Sequence, residues 1–217
     1  MSASSPSRSR RLAPWLAAAL LYASFALWYD GISPPLSGAE VEHYAALLAQ
    51  RGLPAERVAR LRAFLAADRG GDFVMVNLIA FDPAPAPVGE MRAGESGRDA
   101  LARYMAYMTP ALLARASHPL LGGDAAASAL EAWGLADGER WSMAGVVRYR
   151  SRRDMIEIAT DPRFRDAHAY KLVAMEKTLA LPIEPYFVAG GPRAGVALVL
   201  IAGAALAHAA LTSRGTA

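Results

Sequence analysis

The chain of 217 residues contains no cysteine. That excludes disulfides and thiolate metal sites. It leaves the compartment open, because exported proteins without cysteine are common. Concentrated positive charge is also lacking. The net charge is +3, the cations are nearly all arginine, and Arg8, Arg10 and Arg11 form the one tight basic group outside expected helices. A nucleic-acid surface would gather its cations on one face or in a run, so no nucleic-acid partner is expected. No glycine-rich phosphate loop, nucleophile elbow or HExxH pair is present, which removes the best-marked nucleotide, hydrolase and zinc-protease chemistries. No internal repeat is evident. What the chain has in excess is apolar residues, 54% of the total. That is high for a soluble protein and asks for membrane segments.

Two stretches answer. LAPWLAAALLYASFALWY, residues 12–29, carries no charge and follows the basic residues of segment 1–11. Trp15, Trp28 and Tyr29 lie near its ends, where an aromatic belt belongs. AGVALVLIAGAALAHAAL, residues 194–211, lies between Arg193 and Arg214. Its Gly195, Ala202, Gly203, Ala204 and Ala205 allow close helix packing. Ser24-Phe25-Ala26 fits a signal-peptide cleavage site, a rival reading of the first stretch. The apolar run continues past it, which favours an uncleaved anchor. The basic flank places the N-terminus in the cytoplasm. Two spans of the cytoplasmic membrane then return the tail, 212–217, to that side and leave the intervening domain extracytoplasmic. His208, near a helix end, is expected to be interfacial.

Between the spans, GISPPLSG, residues 31–38, reads as a linker, and the linker segment is taken as 30–36. Residues 37–68 read as a helical pair. Ser37 and Glu40 form a capping box, Gly52 separates the helices, and Val58, Leu61, Phe64 and Leu65 make an apolar stripe. His43 is expected on a solvated face. FVMVNLIAF, residues 73–81, predicts a strand buried on both faces. Residues 97–116 predict a helix with Leu101, Tyr104, Met105, Met108 and Leu112 on one face, bent or divided at Pro110. His118 falls in a loop, a weak strand follows over 127–133, and 134–140 is a hairpin loop. WSMAGVVRYR, residues 141–150, is the next strand, with Arg148 and Arg150 facing solvent or an interface. Ser151 caps a short helix. Asp161 and Pro162 open a longer one in which Phe164, His168, Leu172 and Met175 form a stripe. Asp154, Glu157 and Asp161 belong to helix ends rather than to acid-base chemistry. IEPYFV, within 182–188, predicts a last edge strand. The order is β-α-β-β-α-β, an α+β, ferredoxin-like domain over 72–190 with helices on one sheet face. The bare face predicts a homodimer.

FVMVNLIAF together with WSMAGVVRYRSRRDMIEIATDPRFRDAH resembles the dimeric α+β barrel superfamily, nearest the domain-of-unknown-function group 1330. The resemblance covers residues 72–190 and leaves out the helical pair and both apolar stretches. More weakly, it extends to the bacterial haem-degrading monooxygenases of that superfamily. That likeness implies His168 as haem-iron ligand and Asn77 as the strand amide beside bound oxygen. The tryptophan that distorts the porphyrin in those enzymes falls on Ile158, so the third member is missing.

The residues themselves support part of this. Asn77 interrupts an apolar strand, and a buried amide needs partners. A neutral imidazole can bind iron, and an apolar cleft walled by Tyr104, Met108, Phe164 and Met175 suits a porphyrin. Equally, His168 and Asn77 can be structural residues, satisfied by backbone. Three functions follow as expectations. The first is a membrane-held module that binds a small molecule. The second is a haem-binding monooxygenase using His168 and Asn77. The third is a membrane scaffold or assembly protein.

Overall fold

The computed structural model describes residues 8–32, 34–134 and 140–213. The basic segment up to residue 7, the Arg8 side chain, Ser33 of the linker, the interior of the 134–140 loop and the tail from Arg214 lie outside the described residues. The chain divides into two compact units.

One unit holds helices α1 (Arg8–Asp30) and α7 (Pro192–Ser213). Both are long and apolar enough to cross a membrane, and both are almost wholly uncovered by the rest of the protein. The two run antiparallel. Asp30, at the end of α1, pairs with Arg193 at the start of α7, whose guanidinium also lies 5.7 Å from the Tyr29 ring centre. At the opposite end, His208 Nδ1 lies 2.9 Å from the Arg11 carbonyl oxygen, and its ring is 6.3 Å from that of Trp15. Ala204 is the buried residue of α7, where a small side chain lets the helices approach.

The other unit is α+β. Its elements are α2 (Gly38–Gln50), α3 (Ala55–Ala66), β1 (Phe73–Phe81), α4 (Gly97–Leu113), β2 (His118–Asp124), β3 (Met143–Tyr149), α5 (Arg152–Thr160), α6 (Pro162–Ala174) and β4 (Met175–Ile183). With α1 and α7 that makes seven helices among the described residues. The four strands form one antiparallel sheet in the order β2-β3-β1-β4.

Local chemistry sets the helix starts. Ser37 and Glu40 make the expected capping box, and Ser96 and Asp99 make a second. The Ser151 hydroxyl accepts from the Asp154 amide, and the Asp161 carboxylate accepts from the Arg163 amide with Pro162 in the first turn. Each cap satisfies a backbone N–H that a helix end leaves unpaired. The helical pair α2–α3 packs on α5 through Val41, Leu48, Val58, Leu65 and Ile156. Tyr104, Met108 and Leu112 of α4 pack with Ile158 of α5 and Ala167 of α6.

Four sequence expectations are corrected. The second strand is His118–Asp124, not 127–133, and residues 127–133 are exposed. His118 is therefore a strand residue. The last strand begins at Met175, directly after α6, and ends at Ile183; Tyr186 and Phe187 lie beyond it and are exposed. Helical spacing over Leu172 and Met175 continued the α6 pattern past its true end. β4 pairs with β1 along its whole length, and that ladder outweighs the local helix preference. Finally, Pro110 does not divide α4, which continues to Leu113; its place near the C-terminal end limits the damage.

Candidate functional site

The sheet pattern creates a hollow. Read across the four strands at the level of Asn77, one row is Ala180, Asn77, Gly145 and Gly122. The row on one side holds Met75, Val147 and Pro119, and the row on the other holds Ile79 and Met143. Bulky rows therefore flank a row of small residues. A Cβ added at Gly145 or Gly122 would meet nothing within 4 Å. Glycine inside a strand often marks such open space or a close approach.

Helices α4, α5 and α6 roof this hollow with Tyr104, Met108, Leu112, Ile158 and Phe164. The result is a cavity of about 330 Å³. That is at the lower end of small-molecule sites, about 300–1,000 Å³. Its walls are mostly apolar.

The polar exceptions are few. Asn77 donates both amide hydrogens to backbone, to the Met75 carbonyl at 3.2 Å and the Gly145 carbonyl at 3.3 Å. Its Oδ1 makes no hydrogen bond among the described residues, and Asn77 lines the cavity, so an acceptor is left available there. The Tyr104 and Tyr149 hydroxyls also lack protein partners among the described residues. No fully buried side-chain N or O atom is unpartnered there. Those hydroxyls therefore keep access to solvent, and both residues line the cavity. Burial pushes the Tyr149 phenol up to about 12. Burial pushes Tyr104 further up, with the nearby Tyr149 and Tyr107 adding to it. Both phenols stay neutral donors at ordinary pH. Lys171 of α6 is the one charged residue lining the cavity among the described residues. Its Nζ lies 5.6 Å from the Tyr104 ring centre, and burial, then the charge of Arg57, lowers its pKa.

The structure thus gathers Asn77, Tyr104, Met108, Phe164 and Met175 around one cavity. His168 is not among the lining residues. Its ring stacks on Phe164 at 4.9 Å and meets Tyr104 edge-on at 6.4 Å. Burial first, then Lys171 and Arg57, push the imidazole down to about 4, so it is neutral near pH 7. Leu172, taken with His168 in the expected stripe, is exposed.

Haem fits these residues poorly. An iron ligand must aim a ring nitrogen into the space that holds the porphyrin, and here Phe164 and Tyr104 line that space while His168 does not. Ile158, at the position of the missing tryptophan, is 2% exposed and belongs to the helical core. No group of three or more metal-ligating side chains occurs among the described residues.

Three other residues differ from expectation. Arg148 is 4% exposed rather than solvent-facing; it donates to Asp72 at 2.7 Å and to the Ala116 carbonyl at 2.9 Å. Arg150 pairs with Asp154 at 2.7 Å. His118 Nδ1 lies 3.0 Å from the Pro119 carbonyl oxygen. His43 is exposed, as expected. The sequence reading missed Lys171, Tyr149 and Gly145 as site residues. Gly145 inside a β-rich run was the available signal for a hollow, and Lys171 stands out in a chain whose cations are nearly all arginine.

No family model and no curated protein matches the chain. Among solved structures it is similar to RPA0582, a protein of unknown function from Rhodopseudomonas palustris. The identity is 25% and the TM-score 0.51, covering 63% of this chain and 96% of that chain. The methylated form of RPA0582 gives 24% identity and TM-score 0.52, covering 64% and 96%. At3g17210 from Arabidopsis thaliana is far more distant, at 14% identity and TM-score 0.34, covering 54% and 99%.

Proposed function

We propose that this protein is a membrane-anchored small-molecule-binding module. Its α+β unit is read as a ferredoxin-like domain of the dimeric α+β barrel type, held outside the cytoplasmic membrane with both termini inside. The observation that carries the binding reading is the cavity over Asn77. It is largely apolar, roofed by three helices, and supplied with a few polar groups that the fold leaves available. That combination is the usual make-up of a small-molecule site.

The fold assignment is supported by the antiparallel order β2-β3-β1-β4 and by helices α4 and α6 packed on one another over a single face. The opposite face supports a homodimer. Leu179, Leu181 and Ile183, opposite Leu78, Val76 and Val74 in register, remain 50%, 51% and 39% exposed. A second copy of the same apolar face would remove that surface from water.

The membrane reading is supported by the exposed leucines of α1 and α7, among them Leu16, Leu20, Leu198 and Leu206. A water-soluble hairpin would leave such a surface uncovered at high cost. Trp28 and Tyr29 near the end of α1, with Tyr186 and Phe187 shortly before α7, supply aromatic residues suited to one membrane interface.

The test of the binding reading uses the full chain in an uncharged maltoside detergent. Thermal unfolding is followed with a panel of compact apolar molecules, for wild type and Gly145→Val. The valine grows into open space, so the variant is expected to fold and to lose every ligand-induced rise in Tm. Equal rises in both proteins would sink the cavity as the binding site. Reporter fusions on the two tails and on the domain test the topology. A domain signal from the cytoplasm would overturn it.

A further inference from the structure

The cavity is electrostatically one-sided. Among the described residues Lys171 is its single charged wall, and no Asp or Glu lines it. Several other basic side chains of this unit do meet carboxylates: Arg103 with Glu95 at 2.8 Å, Arg150 with Asp154 at 2.7 Å, Arg152 with Glu184 at 2.9 Å. Lys171 has no carboxylate partner among the described residues; its ammonium lies against the face of Tyr104. Its other neighbours do not neutralise it. Arg57 adds a second positive charge, and His168, on the same helix, is neutral near pH 7. An ammonium drawn out of water without a counter-ion is unfavourable, and an incoming anion relieves that cost.

Residue choice points the same way. Of 23 basic residues only two are lysine, Lys171 and Lys177. Where this chain forms structural ion pairs it uses arginine, whose planar fork holds a carboxylate in fixed geometry. A lysine at the cavity wall supplies a compact charge with three donor directions and room to adapt. The Tyr104 and Tyr149 hydroxyls add neutral donors to the same space. Asn77 adds the opposite: with both N–H groups bound to backbone, it offers an acceptor oxygen. It suits a ligand hydroxyl or N–H and disfavours a second anionic group.

We infer that the cavity takes a compact, mostly apolar molecule bearing one carboxylate or similar anionic group, with Lys171 as its counter-cation and the Tyr104 and Tyr149 hydroxyls as donors. This rests on the reading of the cavity as a small-molecule site and names the class of ligand that site selects. Charge decides between otherwise equal ligands, because the apolar walls accept both a carboxylate and its neutral isostere, and Lys171 rewards only the anion.

The test compares 4-phenylbutyrate with 4-phenylbutyramide by titration calorimetry, on the full chain in maltoside detergent. Wild type should bind the carboxylate at least about tenfold more tightly, the ratio expected of one charge-assisted hydrogen bond. Lys171→Met should bring the two probes to within about twofold, the scatter allowed a neutral contact. Gly145→Val should lose both. Three results overturn the inference. Equal affinity in wild type, with both probes lost in Gly145→Val, leaves the cavity as a small-molecule site and removes its charge selection. A carboxylate preference that survives Lys171→Met, or that Gly145→Val does not touch, places the anion elsewhere. Binding of neither probe to folded wild type removes the binding reading together with the inference. The wild-type pair decides the matter even where Lys171→Met fails to fold.

Discussion

β1 presents two surfaces made of alternating residues. Met75, Asn77 and Ile79 face the helices; Val76 and Leu78 face the other way. Both sets are largely apolar, yet they do different things. The helix-facing set is interrupted by a polar residue and lies in rows where Gly145, Gly122 and Ala180 leave room. The opposite set continues across β4 as Leu179 and Leu181, half exposed. A void with a few polar groups suits a small ligand. A continuous apolar surface suits another protein surface. Side-chain volume along the rows, rather than hydrophobicity, separates the two faces.

The harshest way to break this comparison is to empty the roof. Leu112 is 1% exposed within the α4 core. Leu112→Ala should cost about 2–5 kcal/mol in denaturant unfolding, the range for a deleted core leucine. A change under about 1 kcal/mol would mean that the roof collapses onto the hollow.

On the other face, Leu181→Lys should leave fold stability within about 1 kcal/mol, since the site is half exposed. It should convert a dimer to a monomer by light scattering. A wild-type protein already monomeric at high concentration would remove the dimer reading.

Lys171→Met sharpens the comparison with a smaller effect of opposite sign. It replaces a desolvated, unpaired ammonium with an apolar chain. The ligand-free protein should gain on the order of 1 kcal/mol, seen as a Tm higher by a few degrees. A loss of stability would mean that Lys171 is held by a favourable contact.

The last effect is read along pH and comes from His168. Its pKa is lowered to about 4 in the fold, against about 6.5 unfolded, so the unfolded chain binds the proton more readily in between. The contribution is fully present above about pH 6.5 and is lost as pH falls through about 4. His168→Phe should flatten that part of the stability curve. With haemin, wild type and His168→Ala should give the same Soret spectrum, because the imidazole does not line the cavity. A His168-dependent band would restore the haem reading.

Much of the framework was legible in the sequence because it depends on neighbours in the chain. Ser37 with Glu40, and Asp161 with Pro162, mark helix starts through contacts three or fewer residues away. β1 was legible from nine consecutive residues of strand-forming type. β4 was not, because the helical spacing of α6 runs on into Met175 and the strand forms by pairing with β1. β2 was hidden for the same reason: HPLLGGD reads as a turn until β3 pairs with it.

The candidate site divides in the same way. Asn77, Tyr104, Met108, Phe164 and Met175 could be singled out as polar or bulky exceptions on periodic elements. His168 could be singled out too, but its place behind Phe164 depends on how α6 is rotated against α4. Two long apolar helices around an α+β unit, the helix caps and the strand carrying Asn77 follow from residue order alone, since periodicity, capping and hydropathy act over a few residues. The folded chain alone aligns Gly145, Gly122 and Ala180 with Asn77, brings Lys171 and Tyr149 to the same cavity and leaves His168 out of its lining. Register and helix rotation set those positions, and both are fixed by contacts between residues far apart in the chain.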